Sequence, residues 1–373
     1  MRNAAICGAR IRERFPLNAS IATLDIDGVA VTAGLIETAD AVFDAGAPDN
    51  ASRVLVRVRA FSCNYRDKSF VMRMATRGPA TSFYVIGSEF VADVLDVGAA
   101  VTALRPGDRV ISDHAYPQAR SASAPAGVPT NHASKERLIL DEAKLRKVPD
   151  GMTDAIAAAF SLGAQTAYGL VRKLRLQPGE KVLVTAARSN TSLFVLQALR
   201  HQGVEVYATT RATTGGDTLR AMGVREIITL DPASVSSGGR IVSEVAEAIG
   251  GFDAVIDPFF DLHFGRVVYL LAQGGRYVTC GLHDQTSRII GRAATRLEVD
   301  LTAVMVRMIT RNLQVMGHCL GSTDDLARAL DDHAAGRLDV LVDSVYDGEA
   351  VAPFLERTFC APDRLGKVVF RYA

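Results

Sequence analysis

Apolar and polar positions change their rhythm partway along the chain. Around residues 54–60, Val54, Val56 and Val58 alternate with Arg53, Arg57 and Arg59, a period of two that predicts a half-exposed strand. Short strands are also predicted at 84–86, 90–97 and 109–112, the last preceded by a turn at Arg105-Pro-Gly-Asp108. Residues 138–148 give further short β segments. Residues 119–134, rich in Ala, Ser, Pro and Gly, read as a long loop that shapes a pocket. The first 150 residues are thus expected to be β-rich. Beyond them Thr153 caps a helix over 155–160, and a second helix covers 165–174. Strands at 181–184, 204–209, 227–230, 254–257, 276–280 and 313–316 then alternate with helices at 193–200, 217–222, 242–249 and 264–271. Gly274-Gly275 is expected to stop the last of these helices. A helix at 324–333 and a strand at 366–372 close the chain. Such alternation predicts an α/β domain with a doubly wound parallel sheet.

The stretch 179–211 is the most informative. A buried strand at 181–184, a polar turn at 185–192, a helix and a second strand make one βαβ unit, whose right-handed crossover implies parallel strands. A turn of this kind aims backbone N–H groups and a helix N-terminus at one point, an anion site suited to a dinucleotide pyrophosphate. The glycines usual in such a turn are missing. It reads Ala186, Ala187, Arg188, Ser189, Asn190, Thr191, Ser192. Asn tolerates left-handed backbone, and Ser and Thr add hydroxyl donors. The same residues also suit an ordinary crossover whose helix is capped by Ser189 or Asn190.

A length of 373 residues suggests about two domains. Hydrophobic residues at 48% and charged residues at 22% are a globular balance with material for a core. With 42 Lys and Arg against 41 Asp and Glu, the formal charge of +1 gives no reason to expect nucleic acid or an anionic membrane as partner. The cysteines, Cys7, Cys63, Cys280, Cys319 and Cys360, are odd in number and scattered, which argues against a disulfide framework and a zinc ribbon. A cytoplasmic setting is expected. The apolar patch at residues 4–8 is too short for a signal segment, and no run of eighteen apolar residues exists to span a membrane.

Taken in order, several short motifs form a recognisable set: Asn64-Tyr-Arg-Asp67, Gly87-Ser-Glu89, Arg105-Pro-Gly-Asp-Arg-Val110, Thr166-Ala-Tyr168, Pro178-Gly-Glu-Lys-Val-Leu-Val184, Ala272-Gln-Gly-Gly-Arg276 and Gly366-Lys-Val-Val369. In these the chain resembles the medium-chain dehydrogenase/reductase superfamily, on its zinc-free quinone-reductase and enoyl-reductase side. The resemblance spans roughly residues 50–373; the first 50 residues match poorly. It implies a GroES-like β-rich catalytic domain over 1–163 completed by 321–373, and a Rossmann domain over 164–320. It also implies an active site in a cleft between them, and a homodimer joined through the last Rossmann strands near residues 301–317.

The resemblance aligns Asn64, Ser88 and Leu162 with positions that hold catalytic zinc in other members. None is a usual zinc ligand, so no metal is expected; a displaced Cys63–Glu89 site lacks a third ligand. The resemblance places Asn64 near the nicotinamide. Tyr65, whose phenol is a neutral donor at pH 7, is the candidate proton donor or enolate hydrogen-bonder, with a packed aromatic of satisfied hydroxyl as the alternative. Asp67 would orient neighbours such as Arg66 or Lys68. Thr166 would lie near nicotinamide and phosphates, Cys280 and Gly281 beside the nicotinamide ring, and Gly317 and His318 at the last strand end. Lys367 matches a family lysine, with a surface lysine flanking an edge strand as the alternative. His114, His132, His263 and His283 look isolated. The second Rossmann strand ends Thr209-Thr210-Arg211, with no acid before Asp217. Hydroxyls and a guanidinium favour a ribose 2′-phosphate, hence NADPH; Arg211 as a solvated surface residue is the alternative. The expected activity is reduction of an activated C=C bond in an enone, enoyl thioester, quinone or dehydroamino-acid group. A zinc-free carbonyl or alcohol oxidoreductase and a non-catalytic NADPH-binding protein are the alternatives.

Overall fold

A computed structural model of the chain describes residues 1–15, 20–115, 132–211, 214–229, 240–289, 291–293 and 299–372. Most of the loop expected at 119–134, and Leu230 of an expected strand, lie outside the described residues. The chain divides into two units. One comprises Met1–Leu162, Gln285–Ala293 and Val340–Ala373, the other Gly163–Asp284 and Ala294–Asp339. Among the described residues no helix is long and apolar enough to cross a membrane.

The first unit is built on the strand Arg53–Ser62, the centre of a largely antiparallel sheet. It pairs with Glu89–Val97, Arg137–Asp141 and Lys367–Arg371. The alternation seen in the sequence is real: Val54, Val56 and Val58 are buried while Arg53, Arg57 and Arg59 are exposed. Phe61 stacks edge-on with Phe354 and tilts against Phe370 in the core beneath it. The first 37 residues are part of the same unit. Strands Arg2–Cys7, Ile21–Ile26 and Val29–Glu37 join Phe83–Val85 in a four-stranded antiparallel sheet. Ala4, Ala5 and Ile6 are wholly buried, so Arg2–Cys7 shows no alternation and gives no period to read.

The second unit holds a six-stranded parallel sheet in the order Val224–Thr229, Glu205–Thr210, Lys181–Val184, Phe252–Asp257, Leu271–Thr279, Gln314–Gly317. This is the doubly wound arrangement expected. One expectation fails: Gly274-Gly275 stops no helix. The helix Phe260–Val267 and a single tight turn, Val268–Leu270, end earlier, and Leu271 already belongs to the strand. Phe252 pairs with Leu271 but Ala254 with Arg276, so the glycines form an irregularity in the strand, with Gly274 at φ 73°. The helix Thr323–Ala334 also falls in this unit, although the boundary read from the sequence, at 321, put it in the other. A two-pronged pair from Arg172 to Asp325, at 2.7 and 2.9 Å, ties it to the helix Ser161–Leu174.

Candidate active site

In the second unit Lys181–Val184 pairs with Glu205–Thr210 on one side and Phe252–Asp257 on the other. This is the point where the strand order reverses and where open α/β sheets bind ligands. The turn leaves this strand through Ala186 at φ 45°. An L-residue costs roughly 1–2 kcal/mol there, so alanine adopts a conformation that glycine takes freely. The helix begins at Asn190, three residues before the sequence reading had it, because Ser189 caps it and accepts from the Ser192 N–H at 3.2 Å. Ser192 turns inward, donating its hydroxyl to the Thr185 carbonyl at 2.9 Å. Ala187 is buried and donates its N–H to the Thr209 carbonyl at 2.9 Å. The turn is therefore a capped crossover, and its helix N-terminus, of the kind that can receive an anion, is flanked by Arg188, Asn190 and Thr191. At the neighbouring strand end Thr209 and Thr210 are buried and Arg211 is exposed. Asp217, exposed on the next helix, pairs with Arg220 at 3.2 Å.

Under this turn lies a network that the sequence reading missed. The buried Asp257 carboxylate accepts from Thr185 Oγ1 at 2.7 Å, the Phe259 N–H at 2.9 Å, His263 at 2.8 Å and Tyr277 at 2.8 Å. Burial opposes its charge, but His263 and the other donors hold the carboxyl below its ordinary value. Its only mark in the sequence is an acid at a strand end, before Pro258. Cys280 and Gly281 follow the strand Leu271–Thr279. Burial pushes the Cys280 thiol up to about 12, and a Cβ at Gly281 would come within 2.8 Å of the Pro258 carbonyl. Gly317 has open space where a side chain would be. The His318 ring lies against Gly169 of the helix Ser161–Leu174, and burial lowers its pKa to about 4. Thr166 is buried in that helix.

The first unit gathers a second polar cluster. Antiparallel pairing sets Ser62 beside both Glu89 and Val369, which brings the ends of three strands together. Gly87, at φ 83° and with Phe61 2.8 Å from a would-be Cβ, delivers Ser88 and Glu89. Gly366, at φ 105° and 2.4 Å from the Leu341 carbonyl by the same measure, delivers Lys367. Asn64 precedes the helix Tyr65–Arg77, which the sequence reading did not detect; its first turn is charged and only a narrow stripe, including Val71 and Met72, is apolar and buried. Asp67 Oδ2 closes that turn, accepting from the Asn64 N–H and the Ser88 hydroxyl, both at 2.7 Å, while Oδ1 accepts from Arg66 at 3.0 Å. Burial pushes the Asp67 carboxyl up. Of the two neighbours expected to be oriented by Asp67, Arg66 is; Lys68 pairs instead with Asp27 at 2.6 Å. Tyr65 is 37% exposed, with Lys68 near its ring face.

Positions 64 and 162 meet at one group, the fully buried Glu89, and position 88 is tied to it through Asn64. Asn64 Nδ2 donates to Ser88 at 3.0 Å and to Glu89 Oε1 at 2.8 Å, and the Leu162 N–H donates to Oε2 at 2.9 Å. Lys367 Nζ donates to Glu89 Oε1 and, at 2.8 Å, to Asn64 Oδ1. Lys367 is 1% exposed, so the surface-lysine alternative is wrong: the strand Lys367–Arg371 has a neighbour on each side, Val342–Asp347 and Arg53–Ser62, and is not an edge. Burial opposes the Glu89 charge, yet Lys367 and the other donors hold its carboxyl below the ordinary value. His114 is not isolated either. Its Nε2 lies 2.9 Å from Ser112 Oγ and 3.3 Å from Ser161 Oγ, and burial lowers its pKa to about 4. Burial pushes the Cys63 thiol well above its ordinary value.

The family model for the alcohol dehydrogenase GroES-like domain matches residues 50–150, and that for zinc-binding dehydrogenase matches residues 191–335. The chain belongs to the medium-chain dehydrogenase/reductase superfamily. Polyketide synthase GfsB of Streptomyces halstedii is 33% identical over 242 residues, which are 65% of this chain and 4% of that protein. The chain thus spans a small fraction of such relatives. Among solved structures, the cobalt- and zinc-bound thermostable alcohol dehydrogenase of Pyrobaculum aerophilum matches with a TM-score of 0.72 at 22% identity, covering 100% of both chains. The CurK enoyl reductase matches with a TM-score of 0.66 at 19% identity, covering 87% of this chain and 92% of that one. Members of the medium-chain superfamily bind a nicotinamide coenzyme, and the switch-point turn of the second unit has the donor chemistry for one. Zinc is a different matter. Protein zinc sites use thiolate, imidazole or carboxylate, whereas positions 64, 88 and 162 offer a carboxamide, a hydroxyl and an alkyl side chain. Among the described residues no three His, Cys, Asp or Glu side chains are grouped to hold a metal. The residues present do not fit the metal.

Proposed function

We propose that the chain is an NADPH-dependent, zinc-independent reductase that adds hydride to the β-carbon of an activated alkene: an enone, enoyl thioester, quinone or dehydroamino-acid group. The observation that carries this reading is the donor set around Glu89, where a carboxamide, a hydroxyl and an alkyl side chain stand in place of the thiolate and imidazole ligands that would hold a Lewis-acid metal. A conjugated acceptor has less need of one, because hydrogen bonds can stabilise its developing enolate. The kinship with a polyketide synthase and the fold shared with an enoyl reductase support an enoyl thioester as the first substrate to try.

Bound NADPH would supply the hydride. The helix N-terminus at Asn190 would receive its pyrophosphate, and Thr210 and Arg211 the 2′-phosphate, with no acid in the sequence between Thr210 and Asp217. Tyr65, partly exposed on the first turn of its helix, donates a proton or hydrogen bond from its phenol to the enolate oxygen. Asn64 and Asp67, whose polar atoms are engaged inside the protein, fix the turn that carries Tyr65. A homodimer is part of the same reading. Among the described residues Gln314–Gly317 ends the six-stranded order without a further strand beside it, and near it in sequence the helix Leu301–Arg311 exposes Leu301, Met305, Val306 and Ile309. An open edge with exposed apolar residues near it suits pairing with a second copy of the chain.

The test is a screen of NADPH oxidation against conjugated thioesters, enones, quinones and aldehydes, with metal content measured on the same sample. Deuterium from labelled NADPH should appear at the β-carbon of the product. Label at a carbinol carbon would identify a carbonyl reductase instead, and no saturable NADPH binding would sink both.

A further inference from the structure

Lys367 and Glu89 form an ion pair with almost no solvent contact, their side chains 2% and 0% exposed. Burying two charges removes both from water, and the attraction between them repays this only when every remaining donor and acceptor is used. Here they are. The ammonium has three N–H donors and three acceptors: Glu89 Oε1, Asn64 Oδ1 at 2.8 Å and the Cys63 carbonyl at 3.4 Å. Glu89 in turn takes Ser62 at 3.0 Å, Asn64 and Lys367 on Oε1, and the Leu162 N–H on Oε2. A pair so enclosed is weak as a source of stability, since apolar residues of similar volume serve as well. What it does supply is a fixed ammonium beside the Asn64 carboxamide, on the carboxylate that also receives the Leu162 N–H.

We infer that Lys367 is an internal cation standing where a metal would stand in this unit. Its ammonium neutralises Glu89, holds the Asn64 carboxamide in one orientation, and closes the site to divalent ions. It is a positioning residue: through Asn64 it fixes the start of the helix that carries Tyr65. This deepens the zinc-independent reading above, but it is a claim about charge and occupancy that needs neither coenzyme nor substrate to test.

Two experiments on the full chain decide it. The first is a cycle of Lys367→Met, Glu89→Gln and the double substitution, followed by denaturant unfolding at pH 7. Lys367→Met strands a buried carboxylate and should raise the unfolding constant by about a hundredfold or more. In the double variant the carboxylate is neutral, and the loss should fall to less than about tenfold. Equal losses in the single Lys367→Met and double variants would mean that Lys367 acts by packing alone, and would overturn the inference. The second places ligands in the site. Asn64→Cys with Ser88→His supplies a thiolate and an imidazole beside Glu89. With Lys367 retained, this variant should bind zinc at least about a hundredfold more weakly than the same variant carrying Lys367→Met. Binding is read by zinc competition and by the cobalt–thiolate charge-transfer band. Equal affinities would show that the ammonium does not occupy the metal's place, and so would one zinc per chain in the unaltered protein. A failure of the unaltered protein to bind NADPH leaves both experiments unaffected and counts only against the reductase reading.

Discussion

His114 makes the stability of the chain depend on pH in a window where carboxylates are already ionised. The ring is 3% exposed, and its Nε2 faces the hydroxyls of Ser112 and Ser161. Burial drives its pKa from 6.5 to about 4 against the opposing pull of Glu89. A folded pKa below the unfolded one means that the unfolded chain binds more protons between these values, so stability rises with pH across that window and is lost as pH falls through it. Linkage gives the size. At pH 5 the unfolded imidazole is almost fully protonated and the folded one almost neutral, a penalty of about 2 kcal/mol, against about 0.2 kcal/mol at pH 7. His318, lowered to about 4 by its own burial, acts with the same sign. Replacing His114 by Gln keeps a hydrogen-bonding side chain and removes the titration. Urea denaturation at pH 7 and pH 5 should show the unaltered protein losing about 2 kcal/mol more than His114→Gln over this interval. Parallel stability curves for the two proteins would refute the reasoning, because they would place the folded imidazole near its ordinary pKa.

Three further outcomes are expected. Arg211→Ala should weaken NADPH binding about tenfold and change NADH binding less than about twofold, measured by coenzyme fluorescence titration; equal effects on both coenzymes would remove the 2′-phosphate role. Tyr277→Phe leaves Asp257 Oδ2 without its 2.8 Å donor and should cost about 1–3 kcal/mol of folding stability, together with weaker coenzyme binding through Thr185; an unchanged denaturation midpoint speaks against the network. Ile309→Asp puts a charge among the exposed apolar residues of the helix Leu301–Arg311 and should convert a dimer to a monomer in sedimentation velocity, whereas a monomeric unaltered protein would dismiss that surface as an interface.

What could be read in advance, and what could not, divides by the range over which the information is local. The strands Arg109–Ser112 and Lys181–Val184 lie where periodicity puts them, because composition and turn residues within ten positions suffice to define them. The glycine pair at 274–275 misleads for the same reason. Glycine marks an irregular backbone, and only pairing with the strand Phe252–Asp257 decides whether the irregularity ends a helix or lies inside a strand. The site is harder still. Ordered motifs led to Asn64, Ser88 and Leu162, but nothing near Lys367 distinguishes a lysine at an exposed edge from one beneath a covered strand. The deciding contact runs to Asn64, 303 positions away, and follows from the register that pairs Val369 with Ser62. His114 finds Ser161 across 47 positions, and Asp257 finds Thr185 across 72. In each case the residue type alone suggests a solvated or merely structural group, and burial beside a specific partner changes its charge state or its role. Charges enclosed by long-range pairing build the polar cluster of the first unit, so a substitution in a distant strand that moved Val369 by one register would flip Lys367 to the opposite face of its sheet and leave Glu89 without its cation, although every motif in the sequence would still be present.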